Sequence, residues 1–299
     1  MRKVLISLMV SSLLIGNLSA KDDQKLKITT KESQNKAVRA AKQKAVNNQT
    51  KLVKEAIESL KLTSKALIDL DKKDIDSSKK DIESALGKLE VILSSKDAPK
   101  LLPIESSVKS VDFIGTKEDI KENIKSVKKL LDKGKVQEAR VLLNALQSEI
   151  DITVVSLPLA TYPDALKLAA SYLHEGKVDK AKGVLEIALS TFDTVTHIIP
   201  LPLVKATALI TDSEKFAKDG KKDIAIKYLD VAKEQLDIAK ELGYVSRSDT
   251  SYEILNKSIK DIQKEIKGEN KATKLFKDLK EKLKDFKDKI FSTKDSKNK

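Results

Sequence analysis

The sequence predicts a mainly all-α protein, a bundle of helical hairpins with repeated units and short extended or β-bridge segments between them. The chain has only 9 Gly and 6 Pro among 299 residues, and 34% of it is charged, a composition that favours helices. Apolar residues recur at three-, four- and seven-residue steps over long stretches, which is the helical period. One pattern occurs twice, at residues 131–143 and again 42 positions later at residues 173–185. Segments that agree in this way are one supersecondary unit used twice.

Each copy of the repeat has a glycine that suits the left-handed residue after a helix, Gly134 in the first and Gly176 in the second. Five residues later comes a small residue, Ala139 or Ala181, which lets two helices cross closely. A weaker copy surrounds Gly220. The spacing exceeds the 34 residues of tetratricopeptide repeats, so we expect hairpins in a bundle or short superhelix.

The least helical stretches are residues 152–163 and 194–202, each a β-branched run that leads into prolines. They are expected to be extended, and because they occupy equivalent positions in the two repeats they could lie side by side; whether they meet stays open at this point. Residues 99–116 have a similar extended character. Helices are expected to restart at Pro163 and Pro202, because proline suits a first helical turn.

Residues 1–20 have the features of a secretory signal peptide. Arg2 and Lys3 give the positive start, an apolar run follows from Val4 to Ile15, and cleavage is expected after Ala20. The apolar run is short for a membrane span, and a retained anchor is the alternative. The sequence therefore predicts a periplasmic protein.

The remaining chain is predicted to divide into a flexible linker at 21–36, a helical domain at 37–248 and a basic amphipathic extension at 249–299. The extension has one apolar face, made of Leu275, Phe276, Leu279, Leu283, Phe286 and Ile290. Three uses of this face stay open: peripheral contact with an anionic membrane through Leu275, Leu279, Leu283 and Phe286, docking on the core, or pairing as a short coiled coil.

Several functional classes are disfavoured by the composition. The chain has no Cys and only two His, so thiol chemistry and Cys- or His-rich metal centres are not expected. No phosphate-binding loop, nucleophile elbow or zinc-protease motif occurs. We therefore expect no enzyme, no cofactor and no metal. The net charge of +13 admits an anionic partner, but Lys is interleaved with acids as on solvated helix faces, and few aromatic residues argue against nucleic acid.

An ordered series of motifs resembles the bacterial YfdX protein family. It consists of residues 134–140, residues 153–163 and residues 197–202, within a resemblance that spans about residues 37–244. The resemblance implies a secreted, mainly helical domain with a stress-associated role. It implies no catalytic residues, and the tail after about residue 251 lies outside it.

Tyr162 and His197 are the candidate ligand contacts, because both belong to the proline-bounded segments. Glu149, Asp151 and Asp193 flank these segments and would complete a polar pocket if the segments converge. Packing beside Pro163 is the alternative role of Tyr162, and a structural hydrogen bond is the alternative role of His197.

The sequence favours a non-catalytic, periplasmic, stress-associated and chaperone-like protein that binds proteins, peptides or small amphiphiles. An oligomeric envelope scaffold, whose basic C-terminal helix contacts an anionic membrane, is the alternative. A hydrolase that uses His197 and a nearby carboxylate is the third hypothesis.

Overall fold

A computed structural model describes residues 20–46, 51–96, 98–244, 250–268 and 272–295 of the chain. The described elements, in chain order, are α1 (Ala20–Val46), α2 (Lys51–Asp71), α3 (Ile75–Leu93), β1 (Leu101–Val111), α4 (Lys117–Asp132), α5 (Val136–Ala145), β2 (Glu149–Pro158), α6 (Tyr162–His174), α7 (Val178–Ser190), β3 (Asp193–Pro200), α8 (Leu201–Lys218), α9 (Lys222–Glu241), α10 (Ser251–Lys267) and α11 (Thr273–Asp295). The predicted fold class is confirmed, since helices dominate and one small sheet lies between them.

The glycine turns of the repeat have the predicted geometry. Gly134, Gly176 and Gly220 have φ of 68°, 71° and 76°, a region that an L side chain rarely adopts. The amide that follows each glycine donates to a carbonyl five residues earlier, as from Lys135 to Leu130 at 2.9 Å. This is the Schellman arrangement that ends a helix. The hairpins α4–α5, α6–α7 and α8–α9 therefore form as predicted.

The sheet is antiparallel with strand order β1-β2-β3. Ile152 lies opposite His197 and Thr153 opposite Thr196, so the two proline-bounded segments lie side by side, a point that the sequence left open. The strands have 11, 10 and 8 residues and are longer than the predicted short bridges, and the β1–β2 register shifts once, between Pro103 and Glu105. Their alternating β-branched residues favour this extension.

Two large groups of buried side chains form the interior. The N-terminal core is shared by α2, α3, β1, β2, α6 and α7. The C-terminal core is shared by α8, α9, α10 and α11, with Leu26 of α1 added to it. A third, small cluster of Ala41, Ile150 and Leu201 joins α1, β2 and α8 at the sheet.

The prediction of a flexible linker at residues 21–36 is wrong. These residues lie in α1, where Leu26 is buried in the C-terminal core and Thr29 Oγ1 donates to Asp212 Oδ2 at 3.1 Å. Lys, Gln and Ala are good helix formers, so the segment is helical although it has few apolar residues to reveal a period. Helix α1 is thus held by tertiary contacts that a composition argument does not detect.

Helices α10 and α11 share the C-terminal core with α8 and α9, so the predicted boundary at residue 248 does not divide the core. Leu279, Leu283 and Phe286 are buried there, and Leu275 packs against them. Glu214 of α8 pairs with Lys280 of α11 beside this contact. In the structure, the apolar face of α11 therefore packs on the core, which is the second of the three predicted roles. Membrane contact through Leu275, Leu279, Leu283 and Phe286 would require α11 to leave the core.

The predicted signal peptide, apart from Ala20, lies outside the described residues. Of the helices that are described, none has both the length and the apolarity that a membrane crossing needs.

Candidate functional site

A cleft of about 480 Å³ opens between α1, α8 and α11. Helix α1 contributes Thr29, Glu32, Ser33, Lys36, Ala37 and Ala40. Helix α8 contributes Val204, Thr207, Ala208, Thr211 and Asp212. Helix α11 contributes a single side chain, Lys287.

Short side chains between two anchored ends explain why the cleft exists. Leu26 is buried in the C-terminal core and Ala41 in the small cluster at the sheet, so α1 is held on both sides of the cleft. Between these anchors the face of α1 that looks into the cleft carries only Ser, Thr and Ala at three- and four-residue steps, apart from the longer Glu32 and Lys36. The facing stripe of α8 is equally short. Neither helix therefore fills the space between them.

The four hydroxyl groups that line the cleft all donate their hydrogens to protein oxygens. Thr29 donates to Asp212 at 3.1 Å and Ser33 to the Thr30 carbonyl at 2.8 Å. Thr207 and Thr211 donate to carbonyls four residues earlier, at 2.7 and 2.9 Å. These hydroxyls can therefore accept a hydrogen bond from a ligand but cannot donate one. The cleft has fewer available hydrogen-bond donors than its four hydroxyl residues suggest.

Lys287 is the cation in this cleft that is partly withdrawn from water. Its Nζ lies 3.5 Å from Thr207 Oγ1, a long and weak hydrogen bond. Within the described residues it forms no ion pair, although Glu32 and Asp212 line the same cleft. Burial lowers the pKa of Lys287, and the neighbouring Asp288 carboxylate offsets this only in part. An ammonium in this position is stabilised by any anion that enters the cleft.

Asp212 is already engaged by its own neighbours. It accepts a hydrogen bond from Thr29 and forms an ion pair with Lys215 at 2.8 Å. Its negative charge is therefore largely compensated before a ligand arrives.

The predicted contacts Tyr162 and His197 lie in different surroundings. Tyr162 starts α6 and is buried in the N-terminal core, where its hydroxyl donates to Thr63 Oγ1 at 2.9 Å. This burial raises the pKa of Tyr162 to about 12. His197 lies on the edge strand β3 and is exposed. The structure does not bring the two side chains together, and their role in ligand binding stays a prediction.

Two of the predicted carboxylates, Glu149 and Asp151, lie near another tyrosine, Tyr244, whereas Asp193 lies at the other end of β3, opposite Ser156. The Ser148 amide donates to the Tyr244 hydroxyl at 2.8 Å, just before β2 begins at Glu149. Burial raises the pKa of Tyr244, and the adjacent Glu149 carboxylate adds to this effect.

The same polar cluster continues to the end of β1. Asp112 accepts from Ser148 Oγ at 2.9 Å and from Lys205 Nζ at 2.7 Å. These bonds join β1, β2, α8 and the end of α9, which indicates a structural role. Nowhere in the described ranges do three His, Asp or Glu side chains meet as a metal site would need.

Comparison with known proteins finds one family that matches the middle of the chain. The model of the YfdX protein family matches residues 59–198, from within α2 to within β3. Over this segment the chain is similar to the YfdX family. The resemblance stated from the motifs is thereby confirmed over this segment.

A solved structure of Salmonella Typhi YfdX is similar to the chain at 14% identity. The match covers 49% of this chain and 91% of that one, with a TM-score of 0.34. No curated protein matches the chain.

The cleft and the predicted contacts fall on opposite sides of the YfdX boundary. Tyr162 and His197 lie within the YfdX segment, whereas α1, α8 and α11 lie outside it. The cleft is therefore a feature of the flanking helices, about which the YfdX match carries no information.

The sequence contained one signal for Lys287 that the prediction missed. Lys287 follows Phe286 directly and stands four residues after Leu283, so it interrupts the apolar stripe of α11. A lysine beside such a stripe is brought partly into the apolar interior when the helix packs, so its ammonium is a candidate for a functional group. The part of the α1 stripe up to Lys36 was missed because it falls in the segment that the sequence predicts to be a flexible linker.

Proposed function

We propose that the protein is a non-catalytic binding protein of the periplasm that takes a small amphiphile into the cleft between α1, α8 and α11. The observation that carries this proposal is the cleft itself, about 480 Å³ in volume, with short apolar side chains in its walls and a half-buried ammonium. Binding sites for small molecules have this size and this mixture of apolar walls with few polar groups.

The location and the biological setting rest on the N-terminal segment and on the family. Residues 1–20 have the pattern of a secretory signal, which supports the periplasm. The similarity to the YfdX family supports a stress-associated role, which is what the resemblance implies.

The sequence left proteins, peptides and small amphiphiles as possible ligands, and the size of the cleft favours a small amphiphile. A folded protein or a long peptide would need an extended groove, whereas this cleft is bounded by Leu26 at one end of α1 and Ala41 at the other. The scaffold alternative depends on the apolar face of α11, which the C-terminal core buries.

Calorimetric titration of the full chain with decanoate and with decanol tests the proposal. We expect saturable binding of at least one of them, and Ala208→Phe should abolish it because the added ring fills the cleft. Ala145→Phe, at an exposed position on α5, is the matched control and should bind normally. The absence of binding by either probe, or binding that survives Ala208→Phe, would contradict the proposal.

A further inference from the structure

The ligand class can be narrowed further, on the premise that the cleft binds an amphiphile as proposed above. We infer that the ligand is a monocarboxylate with an apolar tail, and that Lys287 holds its carboxylate. The inference combines three features of the cleft: the position of the ammonium, the scarcity of donors and the sign of the neighbouring charges.

The position of Lys287 favours an anion over a neutral head group. The ammonium is half-buried, its one hydrogen bond is long, and no carboxylate of the described residues pairs with it. A ligand carboxylate would supply the negative charge that no described side chain places in an ion pair with Lys287. Charge-assisted bonds of this kind are stronger than those between neutral groups.

The scarcity of donors favours a carboxylate over a phosphate. All four lining hydroxyls have committed their hydrogens to protein oxygens. The free donors in the lining are then the ammonium groups of Lys287 and of the exposed Lys36. One or two donors match the two oxygens of a carboxylate, whereas phosphate sites use several backbone and side-chain donors.

The neighbouring charges point in the same direction. Glu32 and Asp212 contribute two carboxylates to the cleft, against the ammonium groups of Lys36 and Lys287. Because Asp212 is paired with Lys215, the repelling carboxylate is Glu32, which would repel a doubly charged phosphate more strongly than a singly charged carboxylate.

The remaining lining accepts the tail. Ala37, Ala40, Val204 and Ala208 present methyl groups, and the threonines add theirs. Burial of an alkyl chain against such walls contributes about 0.8 kcal/mol for each methylene removed from water. Head and tail are thus bound by different groups, which allows them to be tested separately.

The test compares decanoate, decanol and decyl phosphate on the full chain by calorimetry. We expect decanoate to bind about tenfold or more tightly than decanol, and more tightly than decyl phosphate. Lys287→Met should lower decanoate affinity about tenfold and leave decanol affinity unchanged, because it removes the charge and keeps the length of the side chain. Lys287→Arg should retain most of the decanoate affinity.

Lys284→Met is the matched control, since Lys284 is exposed on the same helix. It should change none of the three affinities. Circular dichroism and thermal unfolding of each variant verify that the fold is retained, and Lys287→Gln serves as a second variant if Lys287→Met does not fold.

Three results would overturn the inference. Equal binding of decanol and decanoate, unchanged by Lys287→Met, would leave the proposed function standing without a role for Lys287. Tighter binding of decyl phosphate than of decanoate would replace the carboxylate by a phosphate. If none of the probes binds, the proposed function fails and the inference fails with it.

Discussion

Hairpins α4–α5 and α6–α7 are copies of one sequence pattern in different surroundings. Both have a left-handed glycine turn and a fully buried alanine, Ala139 in one and Ala181 in the other. Leu173 and Leu185 are 3% and 0% exposed, whereas the equivalent Leu131 and Leu143 are each 47% exposed. The pattern therefore specifies the hairpin and its internal crossing, but not what covers its outer face.

The cover of α6–α7 comes from the preceding helices. Helix α6 packs on α3 and α7 packs on α2, which places Leu173 and Leu185 in the N-terminal core. Helix α5 has α4 as its main neighbour, and α4 is joined to α9 by ion pairs of Lys117 and Lys121. A helix of 10 residues is marginal by itself, so the stability of α5 depends on α4.

The largest contrast should come from truncation of equivalent leucines. Leu185→Ala removes a fully buried side chain from the N-terminal core and should lower the free energy of unfolding by about 2–5 kcal/mol. Leu143→Ala removes a half-exposed one and should cost less than about 1 kcal/mol. Urea unfolding followed by circular dichroism measures both. Equal losses in the two variants would show that α5 is covered in solution.

Substitution of the turn glycines should lower the free energy of unfolding by a smaller amount, which should be equal in the two hairpins. Gly134→Ala and Gly176→Ala force an alanine into φ of 68° and 71°, where the backbone penalty is about 1–2 kcal/mol. No atom lies within 4 Å of an added Cβ at either site, so the penalty is that of the backbone alone. The same urea experiment should give matching losses. A loss at Gly176 much larger than that at Gly134 would mean that the turn is coupled to the N-terminal core.

The smallest effect concerns the hydrogen bond that ties α6 to α2. The residue of α4 equivalent to Tyr162 is Ile120, which is buried but has no hydroxyl, so α6–α7 alone has this bond. Tyr162→Phe should cost about 1 kcal/mol. The loss stays modest because Thr63 keeps its own bond to the Ser59 carbonyl at 2.9 Å. Tyr172→Phe, on the same helix but only partly buried, should change stability by less than about 0.5 kcal/mol.

The same tyrosine predicts a dependence on pH. The pKa of Tyr162 is raised to about 12 in the folded protein, against about 10 for an unfolded chain. The folded state therefore holds the hydroxyl proton of Tyr162 more tightly than the unfolded state does. The stabilisation that the protonated hydroxyl contributes is complete below pH 10 and is lost as the pH rises towards 12. The difference in tyrosinate absorbance between wild type and Tyr162→Phe should appear near pH 12. A difference that appears near pH 10 would contradict the burial of this hydroxyl.

Much of the local structure could be predicted because its causes lie within a few residues. The capping box of Thr116 and Asp119, the glycine turns and the proline starts of α6 and α8 each depend on adjacent side chains. The β-branched runs before Pro158 and Pro200 likewise formed extended strands, whereas their pairing was left open by the sequence and decided by the structure.

The candidate site could not be predicted in the same way. Tyr162 lies in a stretch that the sequence predicts to be extended, yet α6 begins at Tyr162 and its side chain is buried in the N-terminal core. Helix α1 looked like a linker because its own residues provide little apolar surface. In both segments the deciding contacts come from elements that are distant in the sequence.

The sequence by itself determined most of the helices, their turns, the positions of the extended segments and the hairpin unit, because hydrophobic period, glycine conformation and proline geometry act over short distances along the chain. Only the tertiary structure decided which hairpin is covered, where α1 docks and what surrounds Lys287. The contact between Thr29 and Asp212 joins residues 183 positions apart, and the cleft adds Lys287 from a third helix. The burial of that ammonium depends on all three helices at once, so no stretch of the chain specifies it alone.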